Sequence, residues 1–359
     1  MAYTTIDDPS AYFHAQLYTG NATDSTSITN DANSGNFQPD WLWIKNRSSA
    51  GGVGPHFIVD SSRGANKDFH MNNDEAEHTT TNAVKSFNSD GFTIDSGGTV
   101  NNNTDNYISW QWKANGGTTT TNDASATSIG SIDSVYQANT TAGFSIVTYT
   151  GAGGNQTIAH GLGATPTVII IRRRDGAADW TSFHSPIGDE KFLRLNSTNA
   201  MGDQATYFND TSPTSTVFTV GSAGDVNTSS GTHVAYCFTD IQGYSKYGTY
   251  EGNNNSNGPF IYLGFKPQLF IVKNVDSTAA WRLYSNKISN QNGFNDLDRV
   301  LYPNTNEAES GTGHAVDFLS NGIKIRGDNE DVNDAESYIY MAWAEHPFVS
   351  SKGVPCTAR

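Results

Sequence analysis

The sequence predicts an all-β protein built as three tandem antiparallel β-sandwiches of jelly-roll scale. Composition is the first reason. Charged residues make up 16% of the 359 and aromatics 11%, and most other positions are Asn, Thr, Ser, Asp and Gly. Aromatics and threonine favour pleated surfaces, while Gly, Asn and Asp favour turns. No long run has helical period. The second reason is a phrase that occurs three times: Pro39 opens P-D-W-L-W-I-K, Pro166 opens P-T-V-I-I-I-R and Pro267 opens P-Q-L-F-I-V-K. Each holds a four-residue apolar run too short for a helix, which reads as a strand buried on both faces. In all three the basic residue (Lys45, Arg172, Lys273) stands six positions after the proline. The third reason is a fixed interval. From each proline to the last aromatic of a later strand (Trp112, Phe238, Trp343) is 73, 72 and 76 residues, as expected of an internal repeat.

Each unit opens on a strand ending Tyr-x-Gly: Tyr18-Thr19-Gly20, Tyr149-Thr150-Gly151 and Tyr250-Glu251-Gly252. The glycine is expected to permit the turn that follows. The closing strands are Tyr107–Trp112, His233–Phe238 and Tyr338–Trp343. Asp179–Phe183 parallels Ala280–Tyr284, and Asn72–Glu77 parallels Asn304–Glu309. Phe87–Ile94 matches Phe318–Ile325, and their Asp90-Gly91 and Asn321-Gly322 predict tight hairpin turns. Alternation of Ile323 and Ile325 with Lys324 and Arg326 predicts one buried and one wet face.

These landmarks divide the chain into a first sandwich at 1–113, a polar linker or arm at 114–140, a second sandwich at 141–242, a third at 243–349 and a C-terminal tail at 350–359. Ile129, Ile132, Val135 and Tyr136 would let part of the arm lie against a neighbouring surface. The tail is expected to dock loosely.

A net charge of −15 argues against nucleic acid, whose phosphates call for clustered cations. Arg172-Arg173-Arg174 is the only basic cluster, and reads as a strand end entering a solvated turn. Cys237 and Cys356 are the only cysteines, so no disulfide framework is expected. The N-terminal segment lacks the pattern of a signal peptide, which predicts synthesis in the cytoplasm. No apolar run approaches the roughly 18 residues of a membrane span.

Catalytic motifs are not found: there is no G-x-S-x-G, phosphate-binding glycine loop or H-E-x-x-H. His160, in A-H-G-L-G, reads as a loop histidine bonded to backbone. Glu75 and Glu77 recur as Glu307 and Glu309. Residues two apart on a strand share a face and do not flank a bond as a glycosidase pair must, so a structural role is expected. The acidic run Asp328–Asp334 offers oxygen ligands for Ca²⁺ without the spacing of an EF-hand, and reads as a solvated turn. The tryptophans fall in strand phrases and are expected in the core. No catalytic, cofactor-binding or metal residue is assigned, and no cofactor is expected.

Several phrases together resemble a domain found in structural proteins of marine tailed bacteriophages, including phages of cyanobacteria and ocean heterotrophs. They are L-Y-T-G-N (17–21), F-Q-P-D-W-L-W-I-K-N-R (37–47), D-S-S-R-G (60–64), S-F-N-S-D-G-F (86–92), W-Q-W-K-A-N-G (110–116), G-F-S-I-V-T-Y-T-G (143–151), I-A-H-G-L-G-A-T-P (158–166) and Y-I-Y-M-A-W-A-E-H-P-F (338–348). The resemblance implies a non-enzymatic virion component, a tail-associated fibre or appendage subunit contributing to host attachment. Its implied partners are other virion proteins, further copies of itself, and a host surface glycan or protein. The chain has no coiled-coil or collagen-like shaft, which leaves a capsid decoration protein as the alternative and a glycan-cleaving adhesin as a lesser one.

Overall fold

The computed structural model describes residues 2–31, 36–48, 54–288, 296–327 and 330–356. It is all-β. The described strands form six antiparallel sheets, none closed, and each α-helix among the described residues is a single turn of four residues.

The same three-strand arrangement, with the closing strand in the middle, occurs in three sheets. In the first third, Asn106–Trp112 lies between the opening strand Phe13–Thr19 and the proline-led strand Trp41–Asn46, and the sheet continues through His56–Asp60, Lys67–His70 and His78–Thr79. In the second, Thr232–Phe238 lies between Phe144–Thr150 and Val168–Arg173. In the third, Ser337–Pro347 lies between Ser245–Glu251 and Phe265–Asn274. Registers agree to the residue. Trp112 pairs with Phe13 and Trp41, Phe238 with Phe144 and Val168, and Trp343 with Ser245 and Leu269. The residue two after the proline thus meets the closing aromatic each time. Pro39 and Pro166 precede their strands, whereas Pro267 lies inside one, at a bulge in the ladder, where a missing N–H is tolerated.

Burial on both faces of the proline-led strands has a simple cause. Leu42 and Ile44 face one apolar cluster with Ile28, Phe92 and Ile94 of a smaller three-stranded sheet, while Trp41 and Trp43 face another. Ile169 and Ile171 face the second third's own cluster, and Phe270 and Val272 the last third's. Val168, Ile170, Leu269 and Ile271 join Trp41 and Trp43 in a single central cluster drawn from the whole chain. Strict alternation therefore sends every second side chain to a local core and the others to a shared one. All seven tryptophans are buried, as expected.

Residues 114–140 form an arm rather than a free linker. Thr120–Asn122 and Ser134–Asn139 pair in turn onto Phe144–Thr150, extending the second third's large sheet to eight strands. Both Asp40 carboxylate oxygens fix its start, accepting from the amides of Ala114, Gly116 and Gly117 at 2.7–2.8 Å. The chain ends also meet. Tyr3 and Thr4 donate to the carbonyls of Gly264 and Gln242, and Ser351 donates through its amide and hydroxyl to Asp7. The first residues therefore pack on the last third, outside the boundary drawn from the sequence.

Two local expectations are corrected. Gly20, Gly151 and Gly252 do not have positive φ. Their requirement is close approach: a Cβ on each would run into the carbonyl oxygen of Asn102, Thr228 or Asp334 respectively. The hairpins form, with Phe87 opposite Phe92 and Leu319 opposite Gly322, but only Gly91 has a positive φ, at 89°. Asn321-Gly322 turns without the positive φ that such a dipeptide readily accepts, and Gly322 is required because Ile261 O lies against it. Ile323 and Ile325 are buried as the alternation predicts.

Candidate functional site

The most highly determined region is the seam where the three thirds meet. The closing aromatics stand at equivalent strand positions and touch: Trp112 lies 5.3 Å from Trp343 and Phe238 lies 5.6 Å from Trp343, both edge to face. Trp41 joins from the side, 4.7 Å from Tyr236 and 4.4 Å from Trp112. Offset and edge-on rings of this kind add about 0.5–1.5 kcal/mol each beyond their area.

Around this centre one set of contacts recurs at three interfaces. The amide of Glu77 donates to Arg174 O, that of Met201 to Val275 O and that of Glu309 to Arg47 O, at 2.8, 2.9 and 3.3 Å. Arg47, Arg174 and Val275 each stand eight residues after their proline. Side chains add to two of the three. Glu77 accepts from Arg174 Nε at 2.8 Å and from Arg63 Nη1 at 3.0 Å, and Glu309 from Arg47 Nε at 2.5 Å. Indoles add another layer. Trp180 Nε1 donates to His70 O and Trp281 Nε1 to Arg194 O, both at 2.9 Å. In the first third His56 stands where those tryptophans stand, opposite Lys45, and accepts at Nδ1 from Trp43 Nε1 at 2.8 Å. The interfaces run first to second, second to third and third to first, so the chain closes on itself.

The charges here are buried and their protonation is shifted accordingly. Burial alone would raise the Glu77 carboxyl, but Arg174 and Arg63 hold it below its ordinary value. Arg63, fully buried against Asp60, is held firmly as the cation, and Tyr236 from the second third donates to the same Asp60 at 2.7 Å. Lys45 and Lys273, at the sixth position after their prolines, are buried and lowered by desolvation to about 7 and about 8. Lys45 Nζ donates to the carbonyls of Gly54 and Asn306. Arg172 is lowered to about 10 by the same cause and donates to Glu75 O. The strand ends at Arg173 and enters a bend with Asp175 exposed, as expected, but the cluster is not solvated throughout. Arg172 is buried and Arg174 crosses an interface, while Arg173 pairs with Asp175.

A second recurring device lies at the Tyr-x-Gly ends. Tyr18, Tyr149 and Tyr250 donate to the carbonyls of Val100, Val226 and Val332 at 2.6–2.8 Å. The asparagine after each valine is fully buried and accepts from a backbone amide just past the glycine, at Asn21, Ala152 and Asn253. Each tyrosine stacks on a ring opposite it, on Tyr107, His233 and Tyr338, at 4.9–5.1 Å. The Val-Asn pairs escaped the sequence reading. Their signal is the short interval to the closing strand, Val100 to Tyr107 and Val226 to His233 being seven residues and Val332 to Tyr338 six.

The remaining candidates fall as follows. His160 is buried beside Thr214 O, accepts from the Leu162 amide and is lowered to about 4 by desolvation. This is the backbone-bonded loop histidine expected. Glu77 and Glu309 are interface acids, while Glu75 lies beside His70 and His78. In the acidic run, 328 and 329 lie outside the described residues. Asp331 binds Arg282, Val332 is core and Asn333 is the buried cap. A surface cleft of about 240 Å³ beside Ser134 and Thr148 contains Asp133, which accepts from the Ala124 amide. Cys237 is buried, with its thiol pushed up by desolvation, and Cys356 is exposed.

A family model described as "Domain of unknown function (DUF7483)" matches residues 8–347. The chain belongs to that family. The matched span runs through all three opening strands and ends with the last residue of the third closing strand, so the DUF7483 domain corresponds to the whole closed assembly and not to one third of it. No curated protein matches the chain. Among the described residues no helix is long and apolar enough to cross a membrane.

Proposed function

We propose that this DUF7483 chain is a non-enzymatic structural subunit of a bacteriophage virion, a tail-associated appendage that contributes to host-surface attachment. In this reading it is three tandem copies of one antiparallel β-sandwich closed head to tail, so that a single chain occupies the place of a trimer. The observation that carries the reading is the thrice-repeated amide-to-carbonyl bond, Glu77 to Arg174, Met201 to Val275 and Glu309 to Arg47. A heterologous interface that returns to its start gives a ring and not a filament.

Two further features support attachment. Each opening strand runs from the end paired with its closing aromatic to Gly20, Gly151 or Gly252, and so ends in a loop away from the Trp112, Phe238 and Trp343 contact. Two of these loops, Asn21–Ser25 and Asn253–Asn257, are exposed. Recognition commonly resides in such loops on a rigid scaffold. Of the four acids weighed for glycan cleavage, Glu77 is engaged by two guanidinium groups and Glu309 by Arg47.

Electron microscopy of intact particles carrying a gold- or antibody-tagged copy is the test. Density at the tail is the expected result. Many copies over the shell lattice would replace this reading by capsid decoration, and absence from the particle would end it. Shortening of host polysaccharide by the purified protein would end the non-enzymatic part.

A further inference from the structure

Asp68 stands at a position that the other two thirds fill with apolar side chains. Counting back four residues from the recurring asparagine (Asn72, Asn196, Asn304) gives Asp68, Phe192 and Val300. Two residues further along are His70, Arg194 and Tyr302. Their cross-strand partners also correspond: Asp68 faces His78, Phe192 faces Gly202 and Val300 faces Ser310. The fold tolerates a hydrocarbon here twice. Only the first third gathers a carboxylate and two imidazoles.

The arrangement is what a strand pair produces. Residues 68 and 70 lie on one face of Lys67–His70, and His78 lies directly opposite Asp68 on the edge strand His78–Thr79. Asp68 is 1% exposed, and neither of its carboxylate oxygens has a hydrogen-bond donor among the described residues. Its Oδ2 lies 3.4 Å from His78 Nδ1 and 3.6 Å from His70 Nε2, too far for good hydrogen bonds. A buried ionised carboxylate without donors is costly, so the position calls for a positive partner. The three ligand atoms lie within 4.8 Å of one another. Around a tetrahedral ion with bonds of about 2.0–2.2 Å, neighbouring ligand atoms stand about 3.3–3.6 Å apart. The Asp68 distances fall on that spacing.

The outer nitrogens complete the pattern. Glu75 Oε2 lies 3.4 Å from His78 Nε2 and 3.9 Å from His70 Nδ1, the nitrogens turned away from Asp68. Asn73 Nδ2 holds that carboxylate at 2.6 Å. A carboxylate behind a metal-bound imidazole fixes its tautomer and raises its basicity. We propose that Asp68 Oδ2, His70 Nε2 and His78 Nδ1 bind one divalent transition-metal ion of the Zn²⁺ class, with Glu75 as the carboxylate nearest the outer nitrogen of His78. Two imidazoles and one carboxylate suit that class better than Mg²⁺ or Ca²⁺, which take oxygen ligands. The ion ties the edge strand to its neighbour. Glu77, immediately before His78, makes the interface with Arg174, so the ion also braces the contact between the first and second thirds.

The positional comparison rests on the repeat reading above, whereas the ligand geometry does not. Tag-free full-length protein, stripped with a chelator, is titrated with Zn²⁺ by calorimetry and with Co²⁺ by visible absorption. One ion per chain, an intense tetrahedral Co²⁺ spectrum and a raised melting temperature are expected. The His70→Gln/His78→Gln double variant should weaken binding at least 100-fold, and Asp68→Asn at least 10-fold, each with near-ultraviolet circular dichroism unchanged without metal. Glu75→Gln should weaken it about 10-fold and leave the stoichiometry at one. No stoichiometric binding by the wild type, or equal binding by a folded double variant, overturns the site. Three ions per chain would overturn its restriction to the first third. None of these results bears on where the protein sits in a particle.

Discussion

Trp112 and Trp343, 231 residues apart in sequence, meet edge to face at 5.3 Å in the middle of the molecule. Because the cluster around them draws on all three thirds, they should not melt independently. Trp343→Ala is expected to cost about 3–5 kcal/mol and to lower one common transition. Calorimetry checks this: three separable transitions in the wild type, or loss of the last third alone in the variant, would contradict it. Ile271→Ala, whose side chain also faces the shared cluster, should behave alike at about 2–5 kcal/mol, and substitution of exposed Thr120 on the arm should cost almost nothing.

Glu77 makes the first interface sensitive to acid. Its carboxyl is held below its ordinary value of 4.5, so its contribution is present above that pH and is lost as pH falls through the lower folded value. Glu77→Gln should cost about 3 kcal/mol at neutral pH and flatten the decline below pH 4.5. Urea midpoints at stepped pH measure both. A variant whose stability keeps the wild-type acid slope would remove Glu77 as the cause.

Lys45 acts in the opposite direction. Burial lowers it to about 7 from 10.5, so between those values the unfolded chain binds more protons and stability rises with pH, by up to about 1.4 kcal/mol per unit. Lys45→Met should show a flatter profile from pH 7 to 9.5 than the wild type. Parallel profiles would mean that Lys45 keeps its proton on folding.

The Asn227 cap accepts from the amides of Ala152 and Gly153 and donates to the carbonyls of Gly154 and Gly221. Asn227→Asp keeps the volume and loses both donations, leaving two buried carbonyls against a carboxylate. A loss of about 2–4 kcal/mol is expected in chemical denaturation. A loss below about 0.5 kcal/mol would make the cap incidental.

Close approach, not backbone conformation, requires the Tyr-x-Gly glycines. Gly252→Ala would drive a methyl group into Asp334 O and should cost about 2–3 kcal/mol. Gly98→Ala, which meets nothing within 4 Å, should be neutral or slightly stabilising. Equal melting shifts for the two would refute this account.

Much of the fold was legible because it depends on local patterning. The proline-led runs, the closing aromatics and the hairpin at Phe318–Ile325 were found where the apolar pattern placed them. The fixed interval from proline to aromatic corresponds to a real pairing, Trp41 with Trp112 and Leu269 with Trp343. The resemblance to phage structural proteins stands beside that pattern as the basis of a proposal.

What the sequence by itself determined is which residues form strands and which of their faces are apolar, because alternation and turn chemistry act within a few residues. Only the tertiary structure decided what covers the outer faces. Four apolar residues in a row say that both faces are buried; they do not say that Trp41 and Leu269 share one core while Leu42 and Phe270 occupy two others. Arg174 could not announce Glu77, nor Asp68 its two histidines. Pair geometry between strands depends on register and on chain closure over long distances, and no run of neighbouring residues encodes either one.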